Sequence, residues 1–87
     1  MDKERKTEII TQFRLKEKDS GSVEVQVALL TERINRLTEH LKLYPQDQHS
    51  RHALQGVIAQ RRRFLGYLSR TAPERYHSLV ARLGLRE

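Results

Sequence analysis

Residues 19–43 read DSGSVEVQVALLTERINRLTEHLKL and carry the clearest helical pattern in the chain. Apolar residues recur along this stretch at spacings of four and three, and they are Val23, Val27, Leu30, Ile34, Leu37 and Leu41. Such spacing puts all of them on one stripe of an α-helix about six turns long. Ser22 suits the N-cap position, because its hydroxyl can accept a hydrogen bond from a free N–H group of the first turn. We therefore expect a long amphipathic helix over Val23–Leu43.

A line of polar side chains runs beside this apolar stripe. Gln26, Arg33 and His40 are seven residues apart, and seven residues of helix differ from two full turns by only about 20°. The three side chains therefore lie along one flank of the helix over roughly 21 Å. The line is either the polar border of a bundle helix or part of a binding surface, and the helix alone leaves both interpretations open.

Length and composition favour one small domain inside a cell. The chain has 87 residues and no cysteine, which excludes disulfides and thiolate metal clusters and fits a reducing compartment. It contains neither an apolar run of about 20 residues nor the core of a signal peptide. We expect a soluble cytoplasmic protein without a membrane partner.

The positive charge is concentrated in the second half of the chain. The formal net charge is +6, and residues 49–87 contain eight arginines against two glutamates, whereas residues 1–48 are nearly neutral. The planar guanidinium group of arginine pairs with phosphates and stacks on bases. This distribution makes a nucleic acid the leading candidate for the partner.

Three further helices are predicted, and no strand-like alternation occurs in the sequence. They span about residues 3–16, 50–70 and 74–84. The first is only weakly amphipathic, so we expect it to dock loosely or to move. The prediction is an all-α domain over residues 1–87, in which the last three helices form an antiparallel bundle with the first helix attached.

The ends of the last two helices carry recognisable signals. Asp47 or Ser50 can cap the third helix. Pro73 suits the first position of the fourth. Gly84 suits its end, after which Leu85 can fold back in a Schellman motif.

The third helix has no acidic residue between Ser50 and Arg70. Its apolar residues occupy an arc of about 120°, and they are Leu54, Val57, Ile58, Phe64, Leu65 and Leu68. Opposite this arc lie Arg63 and Tyr67, and an aromatic ring among arginines suits contact with bases and backbone. Arg61 projects from the middle of the apolar arc. We expect it either to form a buried pair with a glutamate or to keep its guanidinium group in water while its aliphatic part covers the core.

Two polar clusters are expected outside the core. If the second and third helices fold back on each other at a turn between Leu43 and Ser50, residues lie opposite each other when their numbers add up to about 93. Gln26 then lies opposite Tyr67. The open-end cluster then contains Ser20, Gly21, Gln26, Arg33, Arg63 and Tyr67. The turn cluster contains His40, Asp47, His49 and Ser50. The two clusters stand roughly 20 Å apart.

Several strings in these regions carry a family resemblance, and they are DSGS (19–22), EVQVALLT (24–31), RIN (33–35), EHLK (39–42), HSR (49–51), RRR (61–63) and LGLR (83–86). Single residues that also match are Asp47, Tyr67, Leu68, Arg75 and Tyr76. The chain closely resembles the bacterial family of small-subunit ribosomal protein fifteen, in register over about residues 5–87.

The resemblance implies a four-helix protein, neither an enzyme nor a cofactor or metal binder, that binds the central domain of 16S rRNA directly. It implies a contact with a three-way junction, matched by Ser20, Gly21, Gln26, Arg33, Arg63 and Tyr67. It also implies recognition of a minor-groove feature with a G·U pair next to G·C, matched by His40, Asp47 and Ser50. Binding in this family lets ribosomal proteins six and eighteen join the platform, and the family touches 23S rRNA across the subunit interface. Of the other arginines, we expect Arg62 and Arg70 at RNA phosphates and Arg61 in a structural role.

The chain departs from the usual residues of this family at three places. Ser20 replaces a threonine and keeps its hydroxyl. Uncharged residues replace lysines and histidine within residues 45–48, so electrostatic support at the turn should be weaker. Ala72 replaces an aspartate, which leaves Thr71 as the expected cap of the fourth helix.

Enzymatic and metal-binding functions find little support in the residue pattern. Asp47, His49 and Ser50 name the parts of a hydrolytic triad, but near neighbours at a helix start cannot line up as one. A metal could be held by His40, His49 and His52 together with Asp47, although no His-Glu-x-x-His motif and no thiolate accompany them.

Two other binding modes fit the sequence less well. The Val23–Leu41 stripe could form a coiled-coil dimer, but the third and fourth helices offer matching apolar faces, so we expect a monomer outside the ribosome. A DNA-binding helix-turn-helix does not suit a six-residue linker between two antiparallel helices of about 20 residues.

Overall fold

The computed structural model of the chain describes residues 2–14 and 22–85. These residues form four α-helices and no strand, and the helices are α1 (Lys3–Phe13), α2 (Val23–Leu43), α3 (Gln48–Thr71) and α4 (Pro73–Leu83). The all-α prediction is confirmed. Two predicted members of the open-end cluster, Ser20 and Gly21, lie outside the described residues.

The first helix is shorter than predicted. α1 ends at Phe13 and not near residue 16, because Arg14 has extended backbone angles (φ −63°, ψ 145°). The N–H of Arg14 makes the last helical bond, to the carbonyl of Ile10 at 2.9 Å. Residues 15 and 16 lie outside the described part of the chain.

The third helix begins earlier than predicted, at Gln48 and not at residue 50. Of the two proposed caps, Asp47 is the N-cap, and its carboxylate accepts the N–H of Ser50 at 3.0 Å. Ser50 therefore lies inside the first turn of α3.

The expectation that Thr71 caps α4 is wrong. The N-cap of α4 is Ala72, which makes no side-chain capping bond. α3 continues through Thr71, so the Thr71 hydroxyl donates back to the carbonyl of Tyr67 at 3.0 Å within its own helix.

The end of α4 has the predicted Schellman geometry. Gly84 has a φ of 67°, in the left-handed region that glycine adopts without a steric penalty. The N–H of Leu85 donates to the carbonyl of Val80 at 3.0 Å, and the N–H of Gly84 donates to that of Ala81.

The apolar stripe of α2 is buried within the chain. It contributes to two buried clusters, which are Val27–Leu68–Leu79 and Leu30–Ile34–Val57. α2 contacts α1, α3 and α4. The surface that a coiled-coil partner would need is therefore occupied by the chain's own helices.

A second side of α2 is also buried, which the stripe did not predict. Val25 is fully buried, and Glu24 and Thr31 are 6% and 9% exposed. α1 lies against α2 and buries Ile9. Because three helices surround α2, its buried surface is wider than a stripe of about 100°.

Polar contacts add to the docking of α1. The Nε and Nη2 groups of Arg5 donate to the two carboxylate oxygens of Glu32, at 3.0 and 3.3 Å. This hydrogen bonding lowers the pKa of Glu32 and raises the pKa of Arg5. From α4, the Arg82 guanidinium lies 4.3 Å from the centre of the Phe13 ring and donates to the carbonyl of Gln12. α1 thus has more anchors than its weak apolar pattern indicated.

Contacts between α2 and α3 run in opposite order along the two helices. Val23, at the start of α2, lines a hollow together with Tyr67, near the end of α3. Farther along, Thr31 accepts a hydrogen bond from Arg61. The short segment 44–47 then joins the end of α2 to the start of α3. This order places the turn cluster and the hollow at Tyr67 at opposite ends of the helix pair.

Candidate nucleic-acid interface

Three members of the turn cluster are joined by hydrogen bonds. The Oδ1 atom of Asp47 accepts the N–H of Ser50 at 3.0 Å. The Oδ2 atom accepts the Ser50 hydroxyl at 2.7 Å and lies 2.8 Å from Nε2 of His40. Because an ionised carboxylate can only accept, the Nε2 nitrogen carries the proton of this bond. The bonds from Ser50, and then the bond from His40, hold the pKa of Asp47 well below its ordinary value.

Tyr44 adds an aromatic contact to this cluster. Its ring centre lies 4.9 Å from that of His40, with 36° between the ring planes. Tyr44 follows His40 by four residues, a spacing that brings side chains together along a helix, so this contact could have been predicted from the sequence. Together with Leu43, the two rings line a hollow of about 460 Å³ at the turn.

His49, the fourth residue predicted for the turn cluster, faces a different hollow. It lines that hollow together with His52 and Arg51, whereas His40 and Asp47 line the hollow at the turn. Within residues 2–14 and 22–85, no three histidine, aspartate or glutamate side chains gather in a way that could hold a metal ion. The structure therefore gives no support to the alternative metal site.

At the open end, Arg63 and Tyr67 lie together. They share a hollow of about 460 Å³ with Gln60, Phe64 and Val23. The Tyr67 side chain is 51% exposed, and Arg63 is exposed as well. α3 thus presents a phenol ring and a guanidinium group to solvent beside the start of α2.

The other two described members of the open-end cluster lie on α2. Gln26 is half-buried and Arg33 is exposed. Neither belongs to the described lining of the hollow at Tyr67, but Gln26 follows Val23 by about one helical turn. Because α2 is continuous, Gln26 and Arg33 keep their places on one flank with His40.

The three consecutive arginines of α3 have different surroundings. Arg61 is half-buried, and its Nη1 group donates to the hydroxyl of Thr31 at 3.2 Å. Burial lowers the pKa of Arg61. Among the described contacts Arg61 has no glutamate partner, and its Nη1 group meets a neutral hydroxyl on α2 instead. Arg62 and Arg63 are exposed, as is Arg70 about two turns later.

Comparison with known proteins identifies the family of this chain. The model of the family described as Ribosomal protein S15 matches residues 6–86. The chain belongs to the ribosomal protein S15 family. This confirms the family predicted from the sequence strings, and members of the S15 family are non-enzymatic structural proteins.

Relatives from distant bacteria match this S15-family chain over nearly its whole length. The small ribosomal subunit protein uS15 of Carboxydothermus hydrogenoformans is 56% identical over 84 residues, which cover 97% of this chain and 94% of that protein. The uS15 protein of Thermotoga maritima is 53% identical over 87 residues, which cover 100% and 97%. The uS15 protein of Neisseria gonorrhoeae is 56% identical over 84 residues, which cover 97% and 94%.

One ion pair of this S15-family chain had no role in the sequence analysis. The Nε and Nη2 groups of Arg75 donate to the two carboxylate oxygens of Glu24, at 2.6 and 2.5 Å. The pair joins the first turn of α4 to the first turn of α2, and its Glu24 member is buried. The two residues are 51 positions apart, and no local spacing signals such a contact.

In the described part of the chain, no helix combines the length and the apolar character that crossing a membrane requires.

Proposed function

We propose that this chain is a structural constituent of the small ribosomal subunit that binds the central domain of 16S rRNA directly. The observation that carries the proposal is the hydrogen-bonded group of His40, Asp47 and Ser50, assembled at one end of the helix pair before any ligand arrives. Membership of the S15 family supports it, as do relatives named as proteins of the small ribosomal subunit.

The turn cluster has the chemistry to read an RNA minor groove. The Ser50 hydroxyl donates its hydrogen to Asp47, so the lone pairs of its oxygen remain to accept from a guanine amino group or a 2′-hydroxyl. His40 lies beside the Ser50 hydroxyl through their shared bonds to Asp47, so its ring is held next to this acceptor. We propose that this group recognises a G·U pair next to G·C, as the family resemblance implies.

The open-end cluster is proposed to grip a three-way junction. Its members are Ser20, Gly21, Gln26, Arg33, Arg63 and Tyr67. The exposed Tyr67 ring can stack on an unpaired base, and the guanidinium of Arg63 can pair with a nearby phosphate. An antiparallel bundle of α2, α3 and α4, with α1 attached, would hold the two clusters about 20 Å apart. Folded RNA with two surfaces at that separation is the matching ligand.

Further contacts complete the proposed role. Arg62 and Arg70 are exposed and are assigned to RNA phosphates. Binding would organise the junction so that ribosomal proteins six and eighteen join the platform, and the bound protein would contact 23S rRNA across the subunit interface. Outside the ribosome we propose a monomer in the cytoplasm.

Binding to two RNAs tests the proposal. The chain should bind tightly to an RNA that contains the three-way junction and the G·U/G·C element, and poorly to a plain duplex of equal length, because two separated clusters need two differently shaped surfaces. Filter binding at one salt concentration measures both affinities. Equal affinities would reject the proposal.

A matched pair of histidine variants tests the turn cluster. His40→Ala should weaken binding to the junction RNA by about 1–3 kcal/mol. This is the usual cost of losing a hydrogen bond to a base edge or sugar and leaving the RNA group without its partner. His77→Ala changes an exposed histidine of α4 and should leave the affinity unchanged. If the two variants bind alike, the minor-groove assignment is wrong.

A further inference from the structure

A hollow of about 430 Å³ lies between α3 and the start of α4. Its lining includes Arg61, Arg62 and Tyr76 together with the apolar residues Ile58 and Leu65. It opens on a different side of α3 from the open-end cluster. At 100° per residue, Arg62 projects about 140° around the helix from Tyr67.

The described lining of this hollow contains two positive charges and no carboxylate. The Arg61 head donates to Thr31, which is a neutral partner. None of the ion pairs among residues 2–14 and 22–85 involves Arg61 or Arg62. α3 itself has no aspartate or glutamate from Gln48 to Thr71. Two arginines without a nearby carboxylate make the hollow locally positive, which favours a negatively charged ligand.

The two arginines suit a backbone phosphate, the anion that the proposed RNA ligand supplies. Arg61 uses Nη1 on Thr31, so its Nε and Nη2 groups remain as a fork, and Arg62 supplies a second fork. The two non-bridging oxygens of a backbone phosphate can accept hydrogen bonds from both forks. The ring of Tyr76 and the apolar side chains beside the arginines suit the sugar or base that accompanies a backbone phosphate.

We propose that this hollow is a phosphate-binding site for the backbone of an RNA strand that passes on the side of α3 away from Tyr67. Arg61 is the inner donor, held by Thr31, and Arg62 is the outer donor. Because the two faces are about 140° apart, the strand here is a different segment from the one at Tyr67. This inference rests on the proposed function, since RNA supplies the phosphodiester.

The first test uses the full chain without RNA. Inorganic phosphate is titrated while NMR follows the Nε–Hε signals of the arginine side chains. The signals of Arg61 and Arg62 should shift together and saturate, whereas that of Arg51, an exposed arginine of the first turn of α3, should not. Equal shifts at Arg62 and Arg51 would overturn the proposal. So would a stronger response of Arg61 to a glutamate-rich peptide, because the ligand would then be a carboxylate.

The second test measures affinity for the junction RNA at several salt concentrations. Arg62→Gln should weaken binding about tenfold and reduce the slope of log affinity against log salt by about one. Arg61→Lys keeps the charge but loses the fork, and it should also weaken binding about tenfold. Lys3→Gln removes an exposed charge from α1 and serves as the control, with less than about a twofold effect. Thermal unfolding verifies that each variant is folded. If Arg61→Lys does not fold, the affinity of Arg62→Gln alone tests the phosphate site.

The outcomes separate this inference from the proposed function. If Arg62→Gln behaves like Lys3→Gln while the unaltered chain still prefers junction RNA to duplex, the phosphate site and the assignment of Arg62 to a phosphate are wrong, but the proposed binding of junction RNA stands. If the unaltered chain shows no such preference, the proposed function fails, and the assignment of an RNA strand to the hollow fails with it.

Discussion

At the two ends of the α2–α3 pair, the polar contacts differ in how far apart the bonded residues are in the sequence. At the turn, Asp47 bonds to Ser50 three residues later and to His40 seven residues earlier. At the open end, Glu24 bonds to Arg75, which is 51 residues away. The turn can therefore assemble from one short segment, whereas the Glu24–Arg75 contact at the open end forms only when α4 has packed against α2. We expect substitutions of core and ion-pair residues at the open end to lower stability more than substitutions of the exposed residues at the turn.

The largest difference between the two ends should come from leucine truncation. Leu68 is 1% exposed in the core near the open end, and Leu43 is 76% exposed at the turn. Leu68→Ala should lower the free energy of unfolding by about 3–4 kcal/mol, through lost burial and the cavity left behind. Leu43→Ala should change it by less than about 0.5 kcal/mol. Urea unfolding measures both, and similar losses would mean that the two ends are equally well packed.

The next largest effect concerns the ion pair at the open end. Arg75→Ala removes the guanidinium partner of the buried Glu24 carboxylate. We expect the free energy of unfolding to fall by about 2–3 kcal/mol. This is less than the usual cost for a fully buried pair, because the Arg75 side chain is half-exposed. Arg70→Ala removes an exposed arginine of α3 and should cost less than about 0.5 kcal/mol. Urea unfolding of both variants near pH 7 makes the comparison. An Arg75→Ala protein as stable as the Arg70→Ala protein would show that the long-range pair does not hold the open end.

At the turn, the effect of Asp47→Asn should depend on pH. The pKa of Asp47 in the folded chain is lowered from its ordinary value of 3.8. The carboxylate therefore contributes its full stabilisation above about pH 4 and loses it as the pH falls towards the folded-state pKa. The variant should be less stable than the parent near pH 7, and the difference should shrink below about pH 4.

Thermal unfolding across this pH range tests the prediction, with Glu39→Gln as the control because Glu39 is an exposed carboxylate at the same end. A difference between parent and Asp47→Asn that stays constant into acid would contradict the assigned hydrogen bonds.

The smallest effect is expected midway between the two ends. Thr31 and Thr38 both donate their hydroxyls to α2 carbonyls four residues earlier, but among the described contacts only Thr31 also accepts from Arg61. Thr31→Val should cost about 1 kcal/mol more than Thr38→Val. A double-mutant cycle with Arg61→Ala should show coupling only for Thr31. The absence of coupling would mean that the Thr31–Arg61 bond does not stabilise the fold.

Local sequence signals predicted much of the turn. The spacing of apolar residues along Val23–Leu43 predicted α2 with its observed bounds, and Asp47 was one of two candidate caps. The proximity of His40 to Asp47 and Ser50 followed from folding the chain at a short turn. Such signals work because a cap or a tight turn involves residues only a few positions apart.

Contacts between distant segments were predicted less well. The burial of Val25 and Glu24 was missed, because a single stripe cannot reveal that α1 and α4 cover a second side of α2. The environment of Arg61 was missed for the same reason, since Thr31 becomes its partner only through the packing of α2 on α3.

For this chain, residue order alone was enough to establish the helices, most of their ends, the concentration of arginine and the S15 family, because these depend on spacing, capping and motif identity along the chain. Only the packed structure decided which polar groups meet, including Glu24 with Arg75 and Thr31 with Arg61. The physical reason is that helix periodicity defines the faces of each helix, whereas the partner of a face depends on how the helices rotate and approach one another when the core closes.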